Sequence, residues 1–589
     1  MTVEKWLLRN RKIDFERMYE KYNINPMLCK IIANRDIKDD EMIKSYLEPT
    51  FNKLHNADDM KDMTKVKAIL KEKIKSGEKI RISSDFDVDG IISVFVLLTG
   101  LKKLGAHVDY EIPDRINDGY GINRRIIKEA YDDGVDTILT CDNGIAAIDE
   151  VDYANELGIN IIITDHHDIP YIEDENSNKK TVLPKAYAIL NPKQKDCHYK
   201  FKKLCGAGVA YKLIESLYEE FNIDKKYCYE LMEFVAIATV CDVVDLTDEN
   251  RVFVKNGLEM INKTTNIGLK SLIEASGLSG KKITAYHLGF VIGPCLNATG
   301  RLETAKMGLR LLMEKDLKTA QKMAVEIVEL NNSRKAMTLE GTERAVSIIE
   351  NSSIKNDKVL VVYLENIHES LAGIIAGRIK ERYNKPTIVL TNAKDIVKGS
   401  ARSIEGYNIF EELTKCKKLF LRFGGHPMAA GVTLLPENVD ILREQLNSNC
   451  CLTSDDLLKK IIIDMSLPIE KVDFKLIESL QILEPFGTGN NKPVFAIKNV
   501  KIRKAIILGQ ENNVLKLKLN LKNTPRTMDG IWFNGVETFE ELIKTKYDEE
   551  CLNGLYDGSS QAAVDLIFYP SINEWNGNKT IQIIINSMR

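Results

Sequence analysis

The sequence predicts a multidomain α/β protein: two α/β blocks joined by a long helical connector and followed by a small β-barrel or sandwich. Three observations predict it. Short apolar strands alternate with helical stretches from Lys79 to Thr164 and again from Lys358, the pattern of βαβ units and a mainly parallel sheet. Between about 304 and 350 the apolar spacing fits long helices with no strong breaker. From about 459 onward only short β-like runs separated by turns remain.

Taken in order, residues 1–60 are mixed and polar and read as an appended helical segment. KIRISS (79–84) reads as a strand, residues 91–105 as an apolar helix and HVDYEI (107–112) as a second strand. A helix over roughly 122–133, strand TILTC (137–141), another helix and strand NIIIT (160–164) complete the first block. Residues 207–240 are helical in pattern. The second block opens on KVLVVYL (358–364), then a helix near 371–383, strand PTIVL (386–390) and FGGH (423–426), read as a glycine-rich turn. KIIIDM, PVFAIKNVKI, VLKLKLNL, AAVDLIFY and TIQIII are the terminal strands. The implied domains are 1–60, 61–260, 261–350, 351–455 and 456–589.

Composition fits this reading. A chain of 589 residues accommodates several domains of about 100–200 residues each. Charged residues at 28% and hydrophobic ones at 44% exclude a disordered or collagen-like chain. A net charge of −3 excludes a uniformly basic nucleic-acid coat but not a local basic groove. No apolar run approaches a bilayer span, and the charged N-terminus does not read as a secretory signal. The 11 cysteines form no CxxC pair, and most, such as Cys141, Cys241 and Cys295, sit in apolar contexts. A reduced cytoplasmic protein is expected.

The chemistry lies where acidic residues fall on the sheet. The strand at 79–84 runs into Asp85, Asp87 and Asp89; that at 137–141 into Asp142; that at 160–164 into Asp165, His166 and His167. An open parallel sheet binds ligands beyond the carboxyl ends of its strands, so these clusters should converge. Carboxylates brought so close repel and raise one another's pKa values unless cations intervene. An oxygen-rich site with one or two imidazoles suits Mg²⁺ or Mn²⁺, and two such ions can clamp the attacking and leaving oxygens of a phosphoester. Taken singly, an Asp-rich turn is ordinarily a solvated loop or helix cap. The DxDxDG string also opens like a calcium loop, but Val96 stands where the closing Glu would be needed.

DFDVDG, CDNGI and TDHHD, in that order, resemble the DHH family of phosphoesterases. IPDRINDGYGI (112–122), NPKQKDC (191–197), GAGVAYKL (206–213), TVCDVVDL (239–246), GPCLNATGRL (293–302), GSARSIEGYNI (399–409), FGGHPMAAG (423–431) and LEPFGTGNNKPVF (483–495) narrow the likeness to RecJ-type members. The resemblance implies a DHH parallel-sheet domain and a DHHA1 α/β domain joined by a long helix, plus a C-terminal OB-like β-barrel. It implies two divalent cations, Mn²⁺ or Mg²⁺. Asp87 and Asp89 would sit at different ions with Asp85 beside them, Asp142 would bridge, and His166 and Asp242 would complete the coordination of the second ion. Asp165 would be a ligand or an imidazole orienter, and His167 would face the scissile phosphate. For Asp242, the sequence pattern alone reads as a helix-end residue.

The implied activity is single-stranded-DNA-specific 5′→3′ exonucleolysis releasing 5′-mononucleotides, in recombination and repair. A monomer acting on single-stranded DNA is implied, with a single-strand-binding protein and a RecQ-type helicase as partners. Other readings within the fold are a phosphodiesterase for short oligoribonucleotides or cyclic dinucleotides and an inactive Cdc45-like scaffold. Retention of Asp87, Asp89, Asp142, His166 and Asp242 argues against the scaffold.

Residues 377–425 hold 11 Lys/Arg against 5 Asp/Glu, a local charge of +6. Within the family-like motifs, Arg301, His368, Arg378, Ser400, Arg402, Gly424, Gly425 and His426 are the expected nucleic-acid contacts. Glycine there lets a phosphate approach the backbone closely. Three positions depart from the family pattern. Ile367-His368-Glu369-Ser370 replaces WHxG, Phe86 replaces a tyrosine, and Ser83 stands where relatives place a histidine. Trp532, Phe533 and Trp575 are aromatic but read first as barrel packing.

Overall fold

The computed structural model of the chain describes residues 4–9, 11, 15–37, 39–173, 179–575 and 577–589. They form two compact units, one of residues 48–457 with 487–489, the other of residues 1–47, 458–486 and 490–589.

The larger unit opens on a five-stranded parallel sheet. Strands β1 (Lys79–Ser84), β2 (His107–Glu111), β3 (Thr137–Cys141), β4 (Asn160–Thr164) and β5 (Ala188–Leu190) lie in the order β2-β1-β3-β4-β5. The chain steps from β1 outward to β2 and then back across β1 to β3. That reversal leaves a crevice at the carboxyl ends of β1 and β3. The register pairs Ser84 with Cys141 and Cys141 with Thr164, so Asp85, Asp142 and Asp165 leave three adjacent strands at one level.

Helix α1 (Val88–Lys103) follows β1 and is apolar on almost every side. It is enclosed accordingly, in one core with α2 (Gly206–Glu220) and α3 (Met232–Cys241). The helical run expected over 304–350 is broken at Glu314–Asp316. Asp316 there caps α5 (Leu317–Glu350), accepting from Thr319 N at 2.9 Å. Before it lies α4 (Gly293–Leu302). At 34 residues, α5 is about 50 Å long. Its buried stripe begins at Ala320, Ala324 and Ile327 in the core of the first block and ends at Ala345 and Ile349 in that of the second.

The second block carries β6 (Leu360–Tyr363), α6 (Ala372–Tyr383), β7 (Thr387–Ala393), β8 (Ile396–Arg402), β9 (Phe420–His426) and β10 (Ala429–Leu434). The sheet order is β9-β10-β8-β7-β6, with only β6–β7 parallel. FGGH is not a turn: it ends edge strand β9, paired Gly425 to Ala430 and His426 to Ala429. Gly425 permits close approach of the partner strand, because a Cβ there would collide with Ala429 O and Ala430, whereas a Cβ on Gly424 would meet no atom. Pro427 and Met428 make the reversal.

In the smaller unit, β11 (Phe495–Leu508), β12 (Val514–Asn520), β13 (Thr527–Phe533), β14 (Ala562–Trp575) and β15 (Asn578–Met588) pair in the order β11-β12-β13-β15-β14. A further β11–β14 pairing closes the barrel. The N-terminal segment is not purely helical. Glu4–Leu8 is a strand paired parallel to Lys459–Ile463, which takes KIIIDM out of the barrel. Nor is the segment a separate body. Leu28, Ile31, Ile32, Ile43 and Tyr46 share a core with Leu467, Leu480 and Phe495, and Asn34 Nδ2 donates to Asp464 O at 3.1 Å. Trp532 is buried in that core, whereas Phe533 and Trp575 are exposed.

Candidate metal centre and phosphate-binding residues

The DFDVDG motif is a strand-to-helix turn. Asp87 caps α1, accepting from Gly90 N at 3.1 Å. Asp89, in the first turn, accepts from Gly206 N at 2.6 Å and Ala207 N at 2.8 Å. The GAGVAYKL motif thereby explains itself as the amino end of α2, aimed at Asp89. Asp142 follows β3 in a left-handed conformation, φ 59°. Gly206 lies against it: a Cβ there would stand 2.6 Å from Asp142 Cβ. Asn143 ties the turn together, donating to Ser83 O at 3.2 Å and Cys141 O at 2.9 Å and accepting from Ile122 N at 3.1 Å.

The structure brings the clusters together. His166 Nε2 lies 3.1 Å from Asp142 Oδ1 and 3.7 Å from both Asp89 Oδ2 and Asp242 Oδ2. Two groups, Asp142–His166–His167 and Asp89–His166–Asp242, each place potential ligand atoms within 4.8 Å of one another. Asp242 ends α3, as its sequence pattern suggested, and that helix end delivers it to the cluster. Burial, and then neighbouring carboxylates, push Asp85, Asp142 and Asp242 well above the usual carboxylate range and Asp89 up to about 6. Burial and the neighbouring His167 hold His166 down to about 3, so it is a neutral imidazole able to ligate. Asp85 Oδ1, Asp142 Oδ1, His166 Nε2 and Asp242 Oδ2 are buried without a hydrogen-bond partner. Partnerless buried acceptors around a neutral imidazole fit divalent cations, and the oxygen-rich set suits Mn²⁺ or Mg²⁺.

Asp165 is placed as an orienter. Its Oδ1 accepts from His166 N at 2.7 Å, His167 N at 3.0 Å and His167 Nδ1 at 2.7 Å, and its Oδ2 from Ile145 N at 2.9 Å. Burial opposes charge on His167, but Asp165 outweighs it and pushes that imidazole up to about 9. Tyr120, which sequence reasoning did not single out, places its hydroxyl 3.2 Å from His167 Nε2 and donates to Asp142 O at 3.2 Å. Its signal was the GYG of the quoted IPDRINDGYGI motif. Phe86 packs edge-on to Tyr120, centroids 6.5 Å apart, with the Arg115 guanidinium 4.5 Å from its ring centre.

Arg301, at the end of α4, donates to Ser370 O at 2.7 Å. His368 Nδ1 lies 2.7 Å from Ser370 Oγ. Arg402 donates to Ser400 Oγ at 2.9 Å and Ala401 O at 2.8 Å, over Gly373, where a Cβ would stand 2.7 Å from its guanidinium. Burial, then repulsion from Arg115, Arg334 and Arg402, brings Arg301 down to about 9. Arg115 also escaped sequence reasoning, although it stands in a quoted motif. Among the described residues Arg115, Arg301, Arg334 and Arg402 form no ion pair with a carboxylate. Beside them is a cavity of about 360 Å³ lined by Arg115, Asn117, Gly300, Arg301 and Thr304. Arg378 is exposed on α6, in electrostatic reach of Arg334. Gly424, Gly425 and His426 are exposed on edge strand β9, with His426 in electrostatic reach of Arg402, Asp168 and His167.

Comparison with known proteins identifies the domains that carry these residues. The DHH family N-terminal domain matches residues 79–239, the DHHA1 domain 356–450 and the RecJ OB domain 463–587. The single-stranded-DNA-specific exonuclease RecJ of Escherichia coli is 30% identical over 99% of this chain and 98% of its own. The chain belongs to the RecJ family. The Bacillus subtilis RecJ is 35% identical over 96% of this chain and 68% of its own. Among solved structures, Thermus thermophilus RecJ in complex with Mn²⁺ superposes with a TM-score of 0.81 at 25% identity, covering 99% of this chain and 79% of that one. A manganese-bound exonuclease RecJ gives 0.58 at 30% identity over 67% of this chain and 96% of that one. These RecJ likenesses favour the RecJ-type reading over the phosphodiesterase and scaffold readings. No helix among the described residues is long and apolar enough to cross a membrane.

Proposed function

We propose that this RecJ-family chain is a metal-dependent, single-stranded-DNA-specific exonuclease that works from the 5′ end and releases 5′-mononucleotides. One observation carries the reading: buried, partnerless carboxylate and imidazole atoms lie in the same unit as a group of arginines that form no ion pair with a carboxylate among the described residues. The first suits divalent cations, and the second suits phosphates.

Asp85, Asp87, Asp89, Asp142, His166 and Asp242 would hold two divalent cations. Bound there, Mn²⁺ or Mg²⁺ neutralises phosphodiester charge and acidifies water. The remaining work falls to the protein. Asp165 fixes His167 through Nδ1 and so sets the orientation of the ring, whose Nε2 side faces the Tyr120 hydroxyl and the proposed phosphate position. Tyr120 steadies that ring. Arg115, Arg301 and Arg402, with Ser400 and His368, grip phosphate, while Gly424, Gly425 and His426 on β9 and the exposed Arg378 contact the strand further along. The chain acts as a monomer in DNA recombination and repair, with a single-strand-binding protein and a RecQ-type helicase as partners.

Degradation of long single-stranded DNA labelled at either end tests this. With Mn²⁺, the 5′ label is expected to be released first as a mononucleotide, chelation should abolish release, and Asp142→Ala should be inactive yet folded. Wild-type-like cleavage by Asp142→Ala, or release from the 3′ label first, would overturn the assignment.

A further inference from the structure

We propose that Ser370 is a positioning residue that sets both His368 and Arg301 for phosphate. The inference rests on the functional reading above and deepens it. Ser370 lies in the short turn Glu369–Leu371 that leads into α6 and is 5% exposed. Its two polar atoms are divided between two of the residues assigned to phosphate. The hydroxyl oxygen lies 2.7 Å from Nδ1 of His368, and the carbonyl accepts from Nη1 of Arg301 at 2.7 Å. One buried residue therefore joins an imidazole of the second α/β block to a guanidinium carried on α4.

The hydroxyl bond bears directly on the imidazole. A partner on one ring nitrogen fixes the ring's rotation and tautomer and leaves the other nitrogen for a ligand. With Nδ1 engaged by Ser370, Nε2 of His368 has no hydrogen-bond partner among the described residues. Helix capping does not account for the hydroxyl, because neither the Glu369–Leu371 turn nor α6 uses a side-chain cap. Glycine at this position, the family's usual residue, would keep the carbonyl for Arg301 but leave the imidazole unheld. The departure from WHxG thus adds a hydrogen bond where an ordered donor set matters most. Three residues further on, Gly373 makes room for the Arg402 guanidinium, so one helix entry arranges three of the cationic or hydrogen-bonding groups.

The test is Ser370→Ala in the full chain with Mn²⁺, assayed on single-stranded DNA. KM is expected to rise about tenfold, the worth of one hydrogen bond that orders a ligand, with kcat held within about twofold. Ser370→Thr, which restores the hydroxyl, should return KM toward the parent value. In parallel, the Cε1–Hε1 NMR signal of His368, identified among the eight histidines by its loss in His368→Gln, should move in Ser370→Ala and return in Ser370→Thr. An unchanged KM, a fall in kcat alone, or a His368 signal that stays in place overturns the proposal. The NMR measurement needs no turnover. A parent protein that failed to degrade DNA would sink the functional reading while leaving this arm to decide the role of Ser370.

Discussion

At the scale of single residues, the acidic cluster is a cost that only a ligand justifies. Asp85, Asp89, Asp142 and Asp242 are all raised by burial and by one another. A fold gains nothing from gathering them without cations. Asp85 and Asp142 were legible because each directly follows an apolar strand, and Asp89 because it shares the DFDVDG motif with Asp85, whereas Asp242 at the end of α3 read by pattern only as a helix-end residue. Tyr120 and Arg115 were not legible, because their contacts with His167, Asp142 and Phe86 join loops with no shared local pattern. Gly206 shows how tightly the site is packed. Gly206→Ala would bring a Cβ within 2.6 Å of Asp142 Cβ and 2.8 Å of its Oδ1. We expect normal circular dichroism, loss of the Mn²⁺-induced rise in Tm, and activity reduced by about a hundredfold, the effect of misplacing a reacting group by about an ångström. An Mn²⁺-induced Tm shift equal to the parent's would show that Gly206 does not govern the position of Asp142.

At the scale of elements, helix ends carry much of the chemistry: α1 begins at Asp87, α2 donates to Asp89 and α3 ends at Asp242. Helix α3 also contains a buried carboxyl away from the site. Burial pushes Glu233 up to about 7, against an opposing hydrogen bond from Thr264 Oγ1 at 3.1 Å. A folded pKa above the unfolded one contributes stability that is fully present below the unfolded value, near 4.5, and lost as pH rises through about 7. Glu233→Gln keeps the acceptor and removes the charge. Its Tm should therefore exceed the parent's at pH 8, by on the order of 2–3 kcal/mol in stability, and match it at pH 4. Equal shifts at both pH values would mean that Glu233 does not titrate in this range. Edge strand β9 marks the limit of local reading at this scale. Two adjacent glycines look like a turn, yet here both lie in a paired strand and Gly425 admits its neighbour.

At the scale of the whole molecule, the two ends of the chain form one unit. Residues 1–47 supply a strand beside Lys459–Ile463 and eight large buried side chains, Met18, Ile24, Leu28, Ile31, Ile32, Ile37, Ile43 and Tyr46, to the core around Phe495. Residues 458–589 expressed alone should be less stable than the same fragment joined to residues 1–47, by about 5 kcal/mol or more for that buried apolar surface. Comparing denaturant midpoints checks this; identical midpoints would show that the N-terminal segment adds nothing to the core. A short exchange runs in the other direction too. Thr488 O accepts from Leu246 N at 2.7 Å, and residues 487–489 of the C-terminal stretch belong to the larger unit.

By itself the sequence determined the layout of the larger unit and the convergence of its acids. Strand and helix periods are local, and a parallel sheet necessarily gathers the residues that follow its strands. It also showed four of the barrel strands, β11, β12, β14 and β15, whose alternation is written in neighbouring residues, but not β13, and it counted KIIIDM among them although Lys459–Ile463 pairs with Glu4–Leu8 instead. Only the tertiary structure decided that the N-terminal segment joins the barrel unit, that Asp165 orients His167 with both its oxygens occupied, that FGGH is a paired edge, and that Arg115, Arg301 and Arg402 form no ion pair with a carboxylate among the described residues. Each of these depends on hydrogen bonds, charges or close contacts between residues far apart in the chain, and such contacts leave no periodic trace in the sequence.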